Sequence, residues 1–380
     1  MRIACARLYP LAVPMSKPIK MAGDTLTHSH TLLVRLTDED GREGWGEASA
    51  APLMTGETLA SLAASTTYLL SRLVGRRIDS PQAIGPLQES VLYGNASAKS
   101  AHETALMDLF AQRAAMPLYQ LLAGDSLASC TTHIDMLQML ASGDLDQEIA
   151  EARQLRREGY RQWKIKVGAG DLQRDLERVQ RLCEELRGDV VSADANQSLS
   201  ADAAAAIAAA GARGAMRFLE QPFRAGMTDA MAALHASSGM ALCADESIHG
   251  LHDIVEHKRA RAAQGVSLKL IKLGGTQALV EAGRLCQMQD MRINLACKVA
   301  ETTISAAATA HAGFALADVA WGFSMSNRYL ATDVCQAPLA PVAGAITRSQ
   351  LERPGLGYAP DASRLRDFAS ADVPMCEFRS

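Results

Sequence analysis

Five short apolar runs in the middle of the chain each end in charge: QWKIKVG with Lys164 and Lys166, VVSADAN with Asp194, MRFLEQP with Glu220, MALCADES with Asp245, and VSLKLIK with Lys269. From Lys166 onward these charges recur at steps of 28, 26, 25 and 24 residues. An apolar run followed by a stretch of helix length, repeated at such a period, predicts a (β/α) barrel. Its helices are expected over residues 145–158, 171–187, 201–210, 229–237, 252–260, 277–289 and 303–311. THIDML reads as the first barrel strand, and INLACKVAET and DVAWGF as the seventh and eighth.

The first 123 residues have another rhythm. RIACARLYPLAV and HTLLVRLTDEDGREGWGEA are strand-like, the second turning at Glu39-Asp40-Gly41. Two amphipathic helices follow, over residues 57–74 and 98–114. Strands followed by helices, without alternation, predict an α+β module. The expected organisation is therefore an α+β module at 1–123, a barrel at 124–345, and a segment at 346–380 that covers the outside or returns to the first module.

Composition narrows the class. Hydrophobic residues make up 48% of the 380, which suits two packed modules rather than disorder. A net charge of −4 without a basic stripe gives no reason to expect nucleic acid. No apolar run reaches the length of a membrane span. Arg7 interrupts the apolar N-terminus, so no signal peptide is expected. The eight cysteines form no C-x-x-C pair and read as reduced thiols of a cytoplasmic protein.

Barrels of this kind build their sites at the carboxyl ends of the strands, where these charges fall. Asp194, Glu220 and Asp245 end three consecutive runs and would line one arc of the rim. A single acid there is most often a helix cap. Three in succession, with no His or Cys among them, favour a hard, oxygen-loving cation: Mg²⁺, with Mn²⁺ also possible. Lys164 and Lys166 alternate by two, so both face inward on a strand. Alone, K-x-K is more often a solvated edge. Beside the acids it becomes a pair in which Lys164 lowers the proton affinity of Lys166, with Lys269 facing them across the mouth. His249, His252 and His257 read as solvated.

These elements together resemble the enolase superfamily and, within it, the muconate-lactonizing subgroup. The resemblance rests on K-x-K at Lys164 and Lys166, D-x-N at Asp194 and Asn196, E-Q-P from Glu220, D-E-S from Asp245 and K-x-x-K-x-G-G from Lys269. Glu301 on the seventh run, GWGEA and RPGLG complete it. It implies an α+β capping domain over a modified (β/α)7β barrel. It also implies metal-assisted abstraction of a proton α to a carboxylate, with Lys164, Lys166, Lys269 and Glu301 in the catalytic set and Asn196 supporting the metal ligands. No His ends the seventh run, which argues against the mandelate-racemase subgroup.

Specificity has to come from other positions. Loops near Met21-Ala22-Gly23 and Leu53-Met54-Thr55 are expected over the substrate, so Met21 and Met54 are candidate contacts. Dipeptide epimerases of this subgroup usually carry D-x-D on the eighth strand, whereas VAWGFSMSN here has Trp321-Gly322, similar to cycloisomerases. Trp321 is therefore a further candidate contact. Lys298 stands where relatives tend to have a small residue. It either receives a second anionic group of a dicarboxylate or forms a salt bridge to Glu301. The expected activity is that of a cycloisomerase-like enzyme on a small carboxylate, the alternatives being a racemase or epimerase of N-acyl amino acids or dipeptides, or a non-catalytic protein that keeps the fold. A homo-oligomer is expected as well.

Overall fold

The computed structural model describes residues 1–21 and 24–380, the side chains of Lys20, Met21 and Asp24 excepted. Strands β1 (Ile3–Met21), β2 (Asp24–Asp38) and β3 (Glu43–Ser49) form an antiparallel meander. The helix Ala96–Arg113 lies across it, buried along most of its length. Two glycines permit that contact. A Cβ on Gly44 would lie 2.3 Å from the carbonyl oxygen of Ala105, and one on Gly46 would lie 1.9 Å from that of Ala101. Only a residue without a side chain lets the strand settle this close, so GWGEA is written into the packing. Glu47, the next residue, is thereby fixed beneath the barrel's seventh strand end.

The chain then runs through β4 (His133–Asp135), β5 (Leu137–Leu140), β6 (Gln162–Lys166), β7 (Val190–Asp194), β8 (Phe218–Glu220), β9 (Leu242–Ala244), β10 (Gly265–Leu268), β11 (Arg292–Ala296) and β12 (Phe323–Ser324). Strands β5 to β12 lie side by side in chain order, all parallel, and a parallel bridge between Met136 and Phe323 brings first to last. Apolar strands buried on both faces need a crossover helix between each pair, and the predicted helices appear within a few residues of their expected bounds. The result is a barrel of the kind the spacing predicts, in the (β/α)7β form with an α+β partner that the resemblance implies.

The first strand is a correction. In THIDML, His133–Asp135 pairs antiparallel with β13 (Ala345–Thr347), and the barrel strand is Leu137–Leu140. Both stretches are apolar and extended, so pattern alone did not separate them. The eighth strand is only two residues long. His257 is also corrected: it is buried, with Nδ1 on the carbonyl of Asp253, because it lies on the inner face of its helix. At the far end, β14 (Cys376–Arg379) pairs antiparallel with β1. All eight cysteines are free. Among the described residues, no helix is long and apolar enough to cross a membrane.

One buried acid ties the two parts together. Glu103, in the middle of the helix Ala96–Arg113, accepts from the backbone of Thr276 at 2.7 Å and Gln277 at 2.9 Å, capping the barrel helix Thr276–Met288. Gly275 has φ +137°, and a Cβ there would strike the Glu103 carboxylate at 2.3 Å. Burial pushes this carboxyl up to about 7 despite those hydrogen bonds. Between about pH 4.5 and 7 the folded chain therefore holds a proton that the unfolded chain has lost. Stability is expected to be greatest below that window and to fall by about 3 kcal/mol as pH rises through 7. Chemical denaturation across this range should show a shallower slope in Glu103→Gln than in the wild type.

Candidate active site

Strand register assembles the site. Lys166 pairs with Asp194 across β6 and β7, and Asp194 pairs with Glu220 across β7 and β8, so the three form one cross-strand row. Asp245 follows directly after β9, and Lys269 directly after β10. Asp194, Glu220, Asp245, Lys164 and Lys269 are all buried, while Lys166 is partly exposed. The predicted trio and lysines thus meet at one end of the barrel.

Each carboxylate holds an ammonium. Lys164 reaches Glu220 Oε2 at 2.5 Å, and Lys166 reaches Asp194 Oδ2 at 2.5 Å and Asn196 Oδ1 at 2.6 Å. Asp245 takes two, Lys269 on Oδ2 and Lys272 on Oδ1, the latter at 2.7 Å. These contacts set the charge of two of the lysines. Burial alone would pull the Lys164 and Lys269 ammonium groups down, but Glu220 and Asp194 around the first, and Asp245 around the second, outweigh it and hold both above the ordinary lysine range. Opposite charge in direct contact outweighs desolvation here. Asp245 shows the converse: burial would raise its carboxyl, and the two lysines hold it far below the carboxylate range.

Among the described residues, no three His, Cys, Asp or Glu side chains are gathered closely enough to enclose a metal ion. The trio nevertheless shares one electrostatic neighbourhood, since Asp194 and Asp245 both raise the proton affinity of Glu220. Two buried oxygens are also left open. Glu220 Oε2 meets Lys164 in an ion pair without hydrogen-bond geometry, and Glu246 Oε2 has no hydrogen-bond partner. Hard carboxylate oxygens, buried and incompletely satisfied, fit a divalent cation.

The sequence reading missed four supports. Glu246 accepts from Asn196 Nδ2 at 3.1 Å, and burial with the nearby Asp245 and Asp194 charges pushes its carboxyl up to about 7. Lys272 sits one helical turn past Lys269 and so returns to Asp245. Gln221, at φ +36°, accepts from the backbone of Asp245 at 2.9 Å and Ser247 at 3.2 Å, so the E-Q-P glutamine sets the Asp245 turn. Backbone strain of that kind collects at functional sites. Asn294 accepts from Ser267 Oγ at 2.8 Å and Lys164 Nζ at 3.4 Å, a polar link beneath the carboxylates.

The remaining candidates divide. Glu301 is buried, with Oε2 accepting from the Lys298 backbone at 3.2 Å and Oε1 unpartnered. Burial and the nearby Glu47 charge push its carboxyl up to about 8. Met54 is partly buried, and the neighbouring Thr55 hydroxyl accepts from Ser97, which also donates to the carbonyl of Ile271. That chain of contacts sets the loop near Lys269. Trp321, expected to contact substrate, instead stacks on Phe218 with ring centroids 4.1 Å apart. It is buried with Phe218, Leu137 and Cys243 in the barrel interior. The expectations for Met21-Ala22-Gly23 rest on the side chain of Met21 and on residues 22 and 23, which lie outside what the structure describes.

Residues 6–123 match the N-terminal domain of the mandelate racemase / muconate lactonizing enzyme family, and residues 147–364 match the enolase C-terminal domain-like family. An L-Lys-D/L-Arg epimerase from Methylococcus capsulatus is 32% identical over 95% of this chain and 100% of its own. Muconate cycloisomerase 1 of Pseudomonas putida is 31% identical, covering 93% and 94%. The crystal structure of a muconate lactonizing enzyme from Pseudomonas fluorescens, complexed with muconolactone, superposes with a TM-score of 0.90 at 28% identity, covering 97% and 99%.

Proposed function

The chain belongs to the mandelate racemase / muconate lactonizing enzyme family of the enolase superfamily, and on that premise we propose that it is a divalent-metal-dependent isomerase. Its reaction passes through an enediolate of a small acid in the manner of a cycloisomerase, a lysine removing the proton α to the carboxylate in the ring-opening direction and returning it to that carbon in the cyclising one. One observation carries the reading: Lys166 and Lys269 hold opposite ends of a single arc of buried carboxylates, so amines flank whatever that arc binds.

Asp194, Glu220 and Asp245 would hold the cation, Mg²⁺ or Mn²⁺, with Glu246 and Asn196 behind them. When bound, it adds positive charge beside the substrate carboxylate and favours the enediolate. Lys164, which its carboxylate neighbours keep protonated, supplies a second fixed positive charge to the same group. Lys166 or Lys269 takes the α-proton on its Nζ. An amine accepts a proton only when neutral, so the ion pair to Asp194 or Asp245 opens in the competent complex.

A second reading, racemisation of an N-acylated amino acid, is favoured by amines at both ends of the arc. Residues 324–327 (SMSN) place no carboxylate beside the eighth strand to receive a substrate ammonium, which disfavours free dipeptides. Purified protein with Mg²⁺ in D₂O, offered muconate-type acids and N-acyl amino acids, tests both. Cyclisation or α-exchange of the former supports the first reading, and exchange with inversion of the latter selects the second. No exchange in either series refutes the proposal.

A further inference from the structure

A buried charge cluster stands between β6 and its flanking helices, and the proposed reaction does not use it. Glu148 belongs to the crossover helix Leu145–Arg157, and Asp175 and Arg178 to the crossover helix Leu172–Glu185. Their side chains are only 0%, 8% and 5% exposed. Arg178 donates to Glu148 twice, Nε to Oε2 at 2.9 Å and Nη2 to Oε1 at 2.7 Å. Its Nη1 donates to Asp175 Oδ1 at 2.8 Å and to the backbone carbonyl of Lys166 at 2.9 Å. Asp175 Oδ2 accepts from the Gly168 backbone at 2.6 Å, and Glu148 Oε1 from the Gly143 backbone at 3.0 Å. Three side chains thus tie the exits of β5 and β6 to two helices.

Stability alone does not account for this cluster. Apolar residues of similar volume often replace a buried ion triad at no loss of stability. What they cannot do is hold a chosen backbone carbonyl and amide. The carbonyl held here is that of Lys166, and the amide is that of Gly168. At Gly168 φ is +84°, and a Cβ would lie 1.9 Å from Ser198 Oγ. The chain is therefore held on both sides of the turn that directly follows Lys166. The Lys166 ammonium needs such fixing. It is the least buried of the three predicted site lysines, with a side chain 25% exposed against 6% for Lys164 and 7% for Lys269. Its reach to Asp194 and Asn196 depends on where the backbone starts it. A displacement of about 1 Å at a reacting group costs about 10²-fold in rate.

We propose that Arg178, braced by Glu148 and Asp175, is a positioning residue that fixes the backbone of Lys166 and so sets its ammonium at one end of the carboxylate arc. The role of Lys166 as proton carrier rests on the reaction proposed above, whereas the bracing does not. Acetylation by acetic anhydride, read for each lysine by mass spectrometry, reports the hold on each ammonium without a substrate. Exposed Lys258 is the internal reference. Arg178→Lys keeps a positive charge beside the two carboxylates, but an ammonium does not reproduce the four directed hydrogen bonds of the guanidinium. Asp175→Asn, which leaves Arg178 paired with Glu148, is the milder second variant. Arg153→Met is the control, since the surface pair of Arg153 with Glu185 joins the same two helices at 2.6 Å.

Acetylation of Lys166 relative to Lys258 should rise about fivefold or more in Arg178→Lys, the shift that one lost hydrogen bond gives, with Lys269 as protected as in the wild type. Asp175→Asn should give the same pattern at smaller amplitude, and it decides the matter if Arg178→Lys does not fold. Arg153→Met should change neither lysine. The two enantiomers of N-acetyl-methionine, with Mg²⁺ in D₂O, then read the consequence for proton transfer. Arg178→Lys should lose about 10-fold or more of the α-exchange from the enantiomer that Lys166→Met silences first, and keep that of the other within about a factor of two. A merely loosened barrel would lower both alike. Unchanged Lys166 acetylation in the folded variants, a rise shared equally by Lys269, an equal loss from both enantiomers, or full exchange in Arg178→Lys would each overturn the proposal. A wild type that exchanges neither enantiomer, while Lys166 acetylation moves as expected, would leave the brace standing and count against the N-acyl amino acid reading instead.

Discussion

Lys166→Met and Lys269→Met should each lower α-proton exchange by roughly 10²–10⁴-fold, the contribution of a positioned acid or base. The two losses should differ in kind. Lys166 is anchored by Asp194 and Asn196 at one end of the carboxylate arc, and Lys269 by Asp245 at the other. With a chiral acid whose α-hydrogen either face presents, each variant should lose exchange from one enantiomer first. With a cycloisomerase substrate, one variant should abolish proton transfer and the other should slow the reaction through lost positive charge. Lys166→Arg and Lys269→Arg supply the control. Arginine keeps the charge that satisfies Asp194 or Asp245, yet does not deprotonate near neutrality, so folding should return without exchange. Proton NMR in D₂O reads both effects. Full exchange in either methionine variant would remove that lysine from the mechanism.

Much of this site was legible because a barrel converts period into position. Once apolar runs recur about every 25 residues, the residue closing each run falls on one rim, and Lys166, Asp194, Glu220, Asp245 and Lys269 need no further information to be brought together. What escaped was set by turns and by packing. Glu246 follows Asp245, and strand alternation would send neighbouring side chains to opposite faces. The strand ends at Ala244, however, and the turn held by Gln221 brings Glu246 back to Asn196. Lys272 returns to Asp245 through a one-turn helix, Leu270–Leu273, too short to leave a periodic trace. Trp321 misled because a large ring beside a glycine fits a rim or a core equally well. Its place was decided by Phe218, opposite it inside the barrel. The carboxylates' hold on the lysines escaped for a related reason. Like charge two residues away was visible in the sequence, whereas the carboxylates pressed against Lys164 and Lys269 were not.

Asp245→Asn should be the most damaging of the carboxylate substitutions, in stability as well as in turnover. Asp245 is the shared counter-ion of two buried ammonium groups, Lys269 and Lys272, with side chains only 7% and 0% exposed. Asparagine keeps the shape and removes the charge, so two desolvated cations lose their compensation at once. Breaking a buried pair from one side costs about 3–5 kcal/mol. Lys272→Met alone should cost less, since Lys269 still satisfies the aspartate. The double variant Asp245→Asn/Lys272→Met should recover part of the loss by removing one of the stranded cations, a coupling that chemical denaturation of all four proteins measures directly. Calorimetric titration with Mg²⁺ or Mn²⁺ should show weaker binding to both Asp245→Asn proteins than to Lys272→Met, because only the former lose a ligand. Additive stability losses across the cycle would mean that Lys272 does not depend on Asp245, and the ion-paired centre described for this barrel would have to be redrawn.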